Sequence, residues 1–168
     1  IRALSNVPTQ AFRSSEFPAN SVAGENTLTI AISQSGETKD TLDALSAAKV
    51  LGGHIAAVCN VIDSTIARFA GNGAYLHAGP EYAVASTKAF TNMSAVLMLF
   101  AMTIADQSNR EIRNISQGLR ELPKQMSNYL FSDIAFNRSI EILRDADVAL
   151  FIGRGPSEHI ASEGALKM

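Results

Sequence analysis

The sequence holds a single cysteine and no tryptophan. With Cys59 alone, no internal disulfide can form, and the fold must rest on a buried apolar core. That usage suits a reducing, cytoplasmic setting. Net charge is also small: Lys plus Arg number 14 and Asp plus Glu 16, leaving −2. No basic stripe of the kind nucleic-acid binders carry is present, and no cationic face for an anionic membrane. A membrane span needs about 20 consecutive apolar residues. The stretch from Phe90 to Ala105 is shorter than that and carries Thr91, Asn92 and Ser94, so it reads as a buried helix. His54, His77 and His159 lack metal-ligand spacing, and no cofactor is expected. No signal-peptide pattern follows Ile1. The chain stops at Met168 within a helical pattern, and the expectation is a piece of a longer polypeptide.

What is present is apolar residues at 46% over 168 positions, enough for one core or one core and part of another. Ile1–Arg13 reads as a helix tail followed by extended chain, and residues 14–26 as loop. Thr27–Ser33 (TLTIAIS) is β-branched and nearly continuous in apolar residues, the pattern of a strand covered on both faces. A helix is expected over Thr38–Leu51, with Leu42, Leu45 and Ala48 on one face and Gly52-Gly53 as its stop. His54–Asn60 reads as a second strand, 63–70 as a short helix, and Gly73–His77 as a third strand.

A long helix over Ser86–Ala105 is apolar nearly all round, which predicts a central position. Two more helices follow, Ile112–Leu130 and Ile134–Arg144, the first kinked or interrupted at Pro123. Asp147–Gly153 (DVALFIG) reads as another buried strand, and a helix opens after Gly155-Pro156-Ser157. Alternating strands and helices with short connections predict an α/β fold, a three-layer αβα sandwich on a doubly wound parallel sheet. The expected organisation is a first α/β unit over 1–105, a helical connector over 106–145, and the start of a second unit over 146–168.

Ser33-Gln34-Ser35-Gly36-Glu37-Thr38 lies between a strand and a helix. Ligands of open α/β sheets sit beyond the carboxyl ends of the strands. A helix N-terminus offers unpaired N–H groups and partial positive charge to an anion. Ser33, Ser35 and Thr38 add hydroxyls there, and Gly36 lets the backbone come close. The alternative is simple helix capping by Ser and Thr. Ser86 and Thr87 place a second hydroxyl-bearing helix start at the same sheet edge, where capping is again the competing reading.

SQSGETKDT, CNV, HAGPEYAVASTKAFT and GRGPSEHIASEGALKM, in that order and at similar spacing, resemble the glucosamine-6-phosphate synthase family of SIS-domain enzymes. The resemblance covers nearly all of the chain and is weakest in Ile1–Gly24 and in the connector. Pro18-Ala19 and Tyr82 depart from the family pattern, off the ligand-contacting positions. The resemblance implies fructose 6-phosphate as substrate and glucosamine 6-phosphate as product. It implies that Ser33, Gln34, Ser35 and Thr38 hold the phosphate, and that Ser86 and the backbone near Val84 contact the sugar. It implies that Glu163 and Lys167 are acid and base residues, with further catalytic residues beyond Met168. It also implies a glutaminase domain upstream in the same chain, a homodimer, and no metal.

On spacing alone, Glu163 and Lys167 at i,i+4 read as a surface ion pair. The rival functions are a sugar-phosphate deaminase or isomerase without a glutaminase half, and a non-enzymatic sugar-phosphate sensor. A dinucleotide site at Gly153-Arg154-Gly155 is the weakest rival, because Glu158 stands where the third glycine belongs.

Overall fold

The computed structural model describes residues 2–17, 23–82, 86–106, 110–130 and 133–168. Two compact units emerge, Ile1–Ile112 and Arg113–Met168. The loop expected over 14–26 lies partly outside the described residues, and so do Pro18-Ala19.

The first unit opens with a short helix α1 (Arg2–Ser5), extended chain and a single 3-10 turn at Ser14–Glu16. Three strands follow, β1 (Leu28–Ser33), β2 (His54–Cys59) and β3 (Gly73–Tyr75). They form one parallel sheet in that order. Leu28 pairs His54 and Ser33 pairs Cys59, while Cys59 pairs Tyr75 on its other side. Ser33, Cys59 and Tyr75 therefore end three neighbouring strands in one row.

Helices α2 (Lys39–Val50) and α3 (Thr65–Ala70) connect these strands. Both pack on one face of the sheet, where Ala31, Ala57 and Cys59 meet Leu45, Ile66 and Ala70. The small alanines of the sheet let the helices approach closely. On the opposite face, Val58 and Leu76 meet Ala89, Met93, Val96 and Leu97 of α4 (Lys88–Ile104). Helices thus cover both faces, giving the three-layer αβα arrangement that the strand–helix alternation predicts. Cys59 is 1% exposed and packs as a small apolar group.

Helix α4 is not as central as its composition suggests. Only Ala89 and Ala101 on it are buried, whereas Met98, Leu99 and Ile104 are exposed. One stripe meets the sheet and α1 also lies against the helix, yet these three side chains stay open to solvent.

Helix α5 spans Arg110–Leu130, with Pro123 inside it. The proline does not interrupt it. Ile112, Ile115, Leu119, Leu122 and Met126 continue one apolar stripe across that position, and the helix runs on despite the lost N–H. Helices α6 (Asp133–Arg144) and α7 (Pro156–Lys167) complete the second unit.

The expected strand at Asp147–Gly153 is irregular chain without a ladder. A strand is defined by its hydrogen-bonded neighbour, and among the described residues this segment has none. Val148, Leu150 and Ile152 remain 72–92% exposed. Phe151 instead packs on α7 at Gly164, which has no Cβ to obstruct the ring.

Candidate functional site

The turn after β1 is built from its own hydroxyls. Gly36 donates its N–H to Ser33 Oγ at 3.0 Å, and Ser33 is buried. Ser33 Oγ also lies 3.4 Å from Thr38 Oγ1. Glu37 donates its N–H to Ser35 Oγ at 3.2 Å. Gly36 takes φ +67°, the left-handed region that glycine enters freely. The buried Ser33 hydroxyl buckles the turn from within, while Ser35 is half-buried and Thr38 exposed. Thr38 precedes α2 and makes no side-chain capping bond. The first-turn N–H groups of any helix lack intrahelical partners. Helix α2 therefore starts beneath a rigid, hydroxyl-rich turn at the carboxyl edge of the sheet.

Three contacts fix this turn to its surroundings. Ile66 donates its N–H to Gly36 O at 2.9 Å. Thr65 donates its N–H to Glu37 Oε1, also at 2.9 Å, so Glu37 caps α3 from across the turn. Hydrogen bonding from Thr65 holds the Glu37 carboxyl below the ordinary glutamate range, with Arg68 assisting and desolvation opposing. Asn60 N–H reaches Gln34 O at 3.2 Å, extending the β1–β2 ladder by one residue.

Asn60 also ties the turn to the next loop. Its Nδ2 donates to Gly79 O at 2.7 Å, and its Oδ1 accepts from Ala78 N–H at 3.0 Å. That loop leads to Glu81, whose carboxylate gathers the start of α4. Ser86 Oγ and Ala89 N donate to Oε2 at 3.1 and 3.2 Å, and Thr87 N and Oγ1 donate to Oε1 at 3.3 and 3.1 Å. Desolvation pushes the Glu81 carboxyl up, but these bonds outweigh it and the net direction is down. Ser86 is thus at the same edge as the 33–38 turn, with its hydroxyl directed to an internal carboxylate. Val84 lies outside the described residues.

Glu163 and Lys167 come together on α7, in the second unit. Lys167 Nζ is 2.6 Å from Glu163 Oε1, and both side chains are about one-quarter exposed. Their i,i+4 spacing on one helix face produces the pair directly.

Sequence reasoning assigned no role to Asn60, Glu37 or Glu81. Asn60 follows a strand that the sequence does reveal, but its partners are 18 and 19 residues away. Glu81 caps from five to eight residues upstream, outside the local spacing of a capping box. His77 carries a positive φ and sets its ring edge-on to Tyr75 at 6.4 Å between centroids. Among the described residues, no cluster of His, Cys, Asp and Glu suits a metal ion. No helix there is long and apolar enough to cross a membrane.

Known proteins resemble this chain in sequence and in fold. The chain is 41% identical, over its whole length, to glutamine–fructose-6-phosphate aminotransferase (isomerizing) of Chlorobaculum tepidum, spanning 28% of that protein. It is 40% identical over 86% of its length to the protein of the same name from Thermococcus kodakarensis, spanning 25% of it. Among solved structures, the C-terminal domain of glucosamine-fructose-6-phosphate aminotransferase from Francisella tularensis matches with a TM-score of 0.89 and 31% identity. That match covers 99% of this chain and 49% of that one. Residues 2–103 match the family described as SIS domain, and with helices on both faces of a parallel sheet and a hydroxyl-rich turn at its edge, the chain belongs to the SIS domain family.

Proposed function

We propose that this chain is part of a glutamine–fructose-6-phosphate aminotransferase (isomerizing). The complete enzyme would make glucosamine 6-phosphate from fructose 6-phosphate and ammonia released from glutamine. The observation that carries this reading is the locked 33–38 turn at the start of α2. Amides and hydroxyls there can bind a phosphate without any lysine or arginine in the turn. Ser33, Gln34, Ser35 and Thr38 hold the phosphoryl end, and Ser86, with the backbone near Val84, meets the sugar. Relatives that carry the aminotransferase name over the whole length of this chain support the reading.

Ketose-to-aldose conversion moves a proton between neighbouring carbons, which needs a placed base that returns what it takes. Glu163 supplies a proton acceptor and Lys167 a donor, side by side on one helix. The amino group comes from glutamine, so a glutaminase domain lies upstream in the complete enzyme. The enzyme works in the cytoplasm as a homodimer.

The test is calorimetry of fructose 6-phosphate binding to the full-length protein and its Ser35→Ala variant. Losing one hydrogen bond to a charged phosphate weakens affinity by roughly 1–3 kcal/mol, about 5- to 150-fold. Unchanged affinity contradicts the assignment.

A further inference from the structure

The two helix starts at the carboxyl edge of the sheet are electrostatically unlike. The start of α2 carries no capping bond from Thr38, so its first-turn N–H groups keep no partner within the helix, whereas the Gly36 and Glu37 N–H groups are held by Ser33 and Ser35 Oγ. The start of α4 is already filled by an anion of the protein's own, the Glu81 carboxylate, through Ala89 N and Thr87 N. Asn60 holds the two places to one scaffold, bonding Gln34 on one side and Ala78 and Gly79 on the other.

The Ser86 hydroxyl proton is committed to Glu81 Oε2 at 3.1 Å. A hydroxyl that donates inward keeps only its lone pairs for a ligand. It can then accept from a sugar O–H. It cannot donate to a phosphate oxygen, which is acceptor only. A phosphate brought to Ser86 would also stand close to a fixed carboxylate. Glu81 is half-buried, so solvent screens it incompletely. The neighbouring cation, Lys88, is exposed, and its ammonium reaches towards Gly79.

We propose that Glu81 is a specificity-determining residue that gives the site its direction, admitting a sugar hydroxyl at Ser86 and rejecting a second phosphate there. The inference rests on the phosphate lying at the 33–38 turn. It predicts that a hexose monophosphate binds in one orientation and that a hexose bisphosphate is excluded by charge.

The experiment measures binding of fructose 6-phosphate and fructose 1,6-bisphosphate to the full-length protein by calorimetry. The wild type should prefer the monophosphate by at least tenfold. Glu81→Gln, which removes the charge, should bring that ratio below threefold, chiefly through tighter bisphosphate binding. Ser86→Ala should weaken the monophosphate several-fold and leave the bisphosphate excluded. A purely structural Glu81 would weaken both ligands alike and leave the ratio unmoved, which overturns the inference. Equal wild-type affinity for the two sugars overturns it as well. Should Glu81→Gln not fold, the wild type still decides the matter. Charge exclusion narrows as salt rises from 0.05 to 0.5 M, whereas a ratio independent of salt means steric exclusion and refutes the charge argument. Failure of the phosphate assignment is separately visible, since Ser35→Ala would then bind fructose 6-phosphate as the wild type does.

Discussion

Gly36 lies directly against Ser64: a Cβ placed on Gly36 would overlap the Ser64 hydroxyl, and Ser64 is itself buried. The same glycine holds φ +67°, so any side chain there meets both backbone strain and a steric clash. Gly36→Ala should therefore destabilise the fold by about 2–5 kcal/mol, the sum of left-handed strain and overpacking. Chemical denaturation checks this. A loss of less than about 1 kcal/mol would mean that the turn is pliable rather than preformed.

Asn60 should matter more than its place after a strand suggests. Asn60→Ala removes two side-chain bonds to the backbone at Ala78 and Gly79. A cost of about 1–3 kcal/mol follows from leaving those groups without their partner. Amide exchange should quicken at Ala78, whose N–H loses its acceptor, while the β1–β2 ladder stays protected. Unchanged exchange at Ala78 would show that the side chain does not hold this loop.

Acid should loosen the same edge. Glu37 and Glu81 are both held below the ordinary glutamate range by hydrogen bonds. A carboxyl with a depressed folded-state value binds its proton more readily in the unfolded chain, so stability rises with pH through that window. The contribution is complete above the unfolded value of about 4.3 and is lost as pH falls through the lower folded value. Melting temperature recorded from pH 6 to pH 3 should fall on the acid side. Glu37→Gln and Glu81→Gln should each flatten that fall, and parallel curves for variant and wild type would exclude these carboxyls as the cause.

Much of this architecture is written locally. Thr27–Ser33 and His54–Asn60 announce themselves as strands because β-branched and small apolar residues run without a polar break. The helix between them is marked by Leu42, Leu45 and Ala48 and stopped by two glycines. The 33–38 turn is legible because hydroxyls and a glycine stand where a strand gives way to a helix. What escapes is interaction across the sequence. Glu37 serves a helix 28 residues on, and no local pattern encodes that reach. Residues 147–153 fail in the opposite way: their composition is that of a strand, but pairing requires a neighbour the described residues do not supply. The apolar outer stripe of α4 shows likewise that composition measures what a helix can bury, not what covers it.

The pair on α7 separates two meanings of one contact. As an ion pair at i,i+4, Glu163–Lys167 contributes roughly 0.3–0.5 kcal/mol, hardly visible in a melt. As an acid–base pair it governs proton transfer, where such groups contribute about 10²–10⁴-fold. Glu163→Gln in the full-length enzyme should therefore lower kcat by about 100-fold or more, with KM for fructose 6-phosphate little changed and melting temperature nearly constant. Retained turnover would leave this contact as an ion pair only.

The deciding measurement is a crystal structure of the full-length protein with fructose 6-phosphate bound. Electron density for the phosphoryl group should fall within hydrogen-bonding distance of Ser35 and Thr38, above the first turn of α2. Density for the sugar phosphate at some other surface, with those hydroxyls contacting only water, would contradict the account.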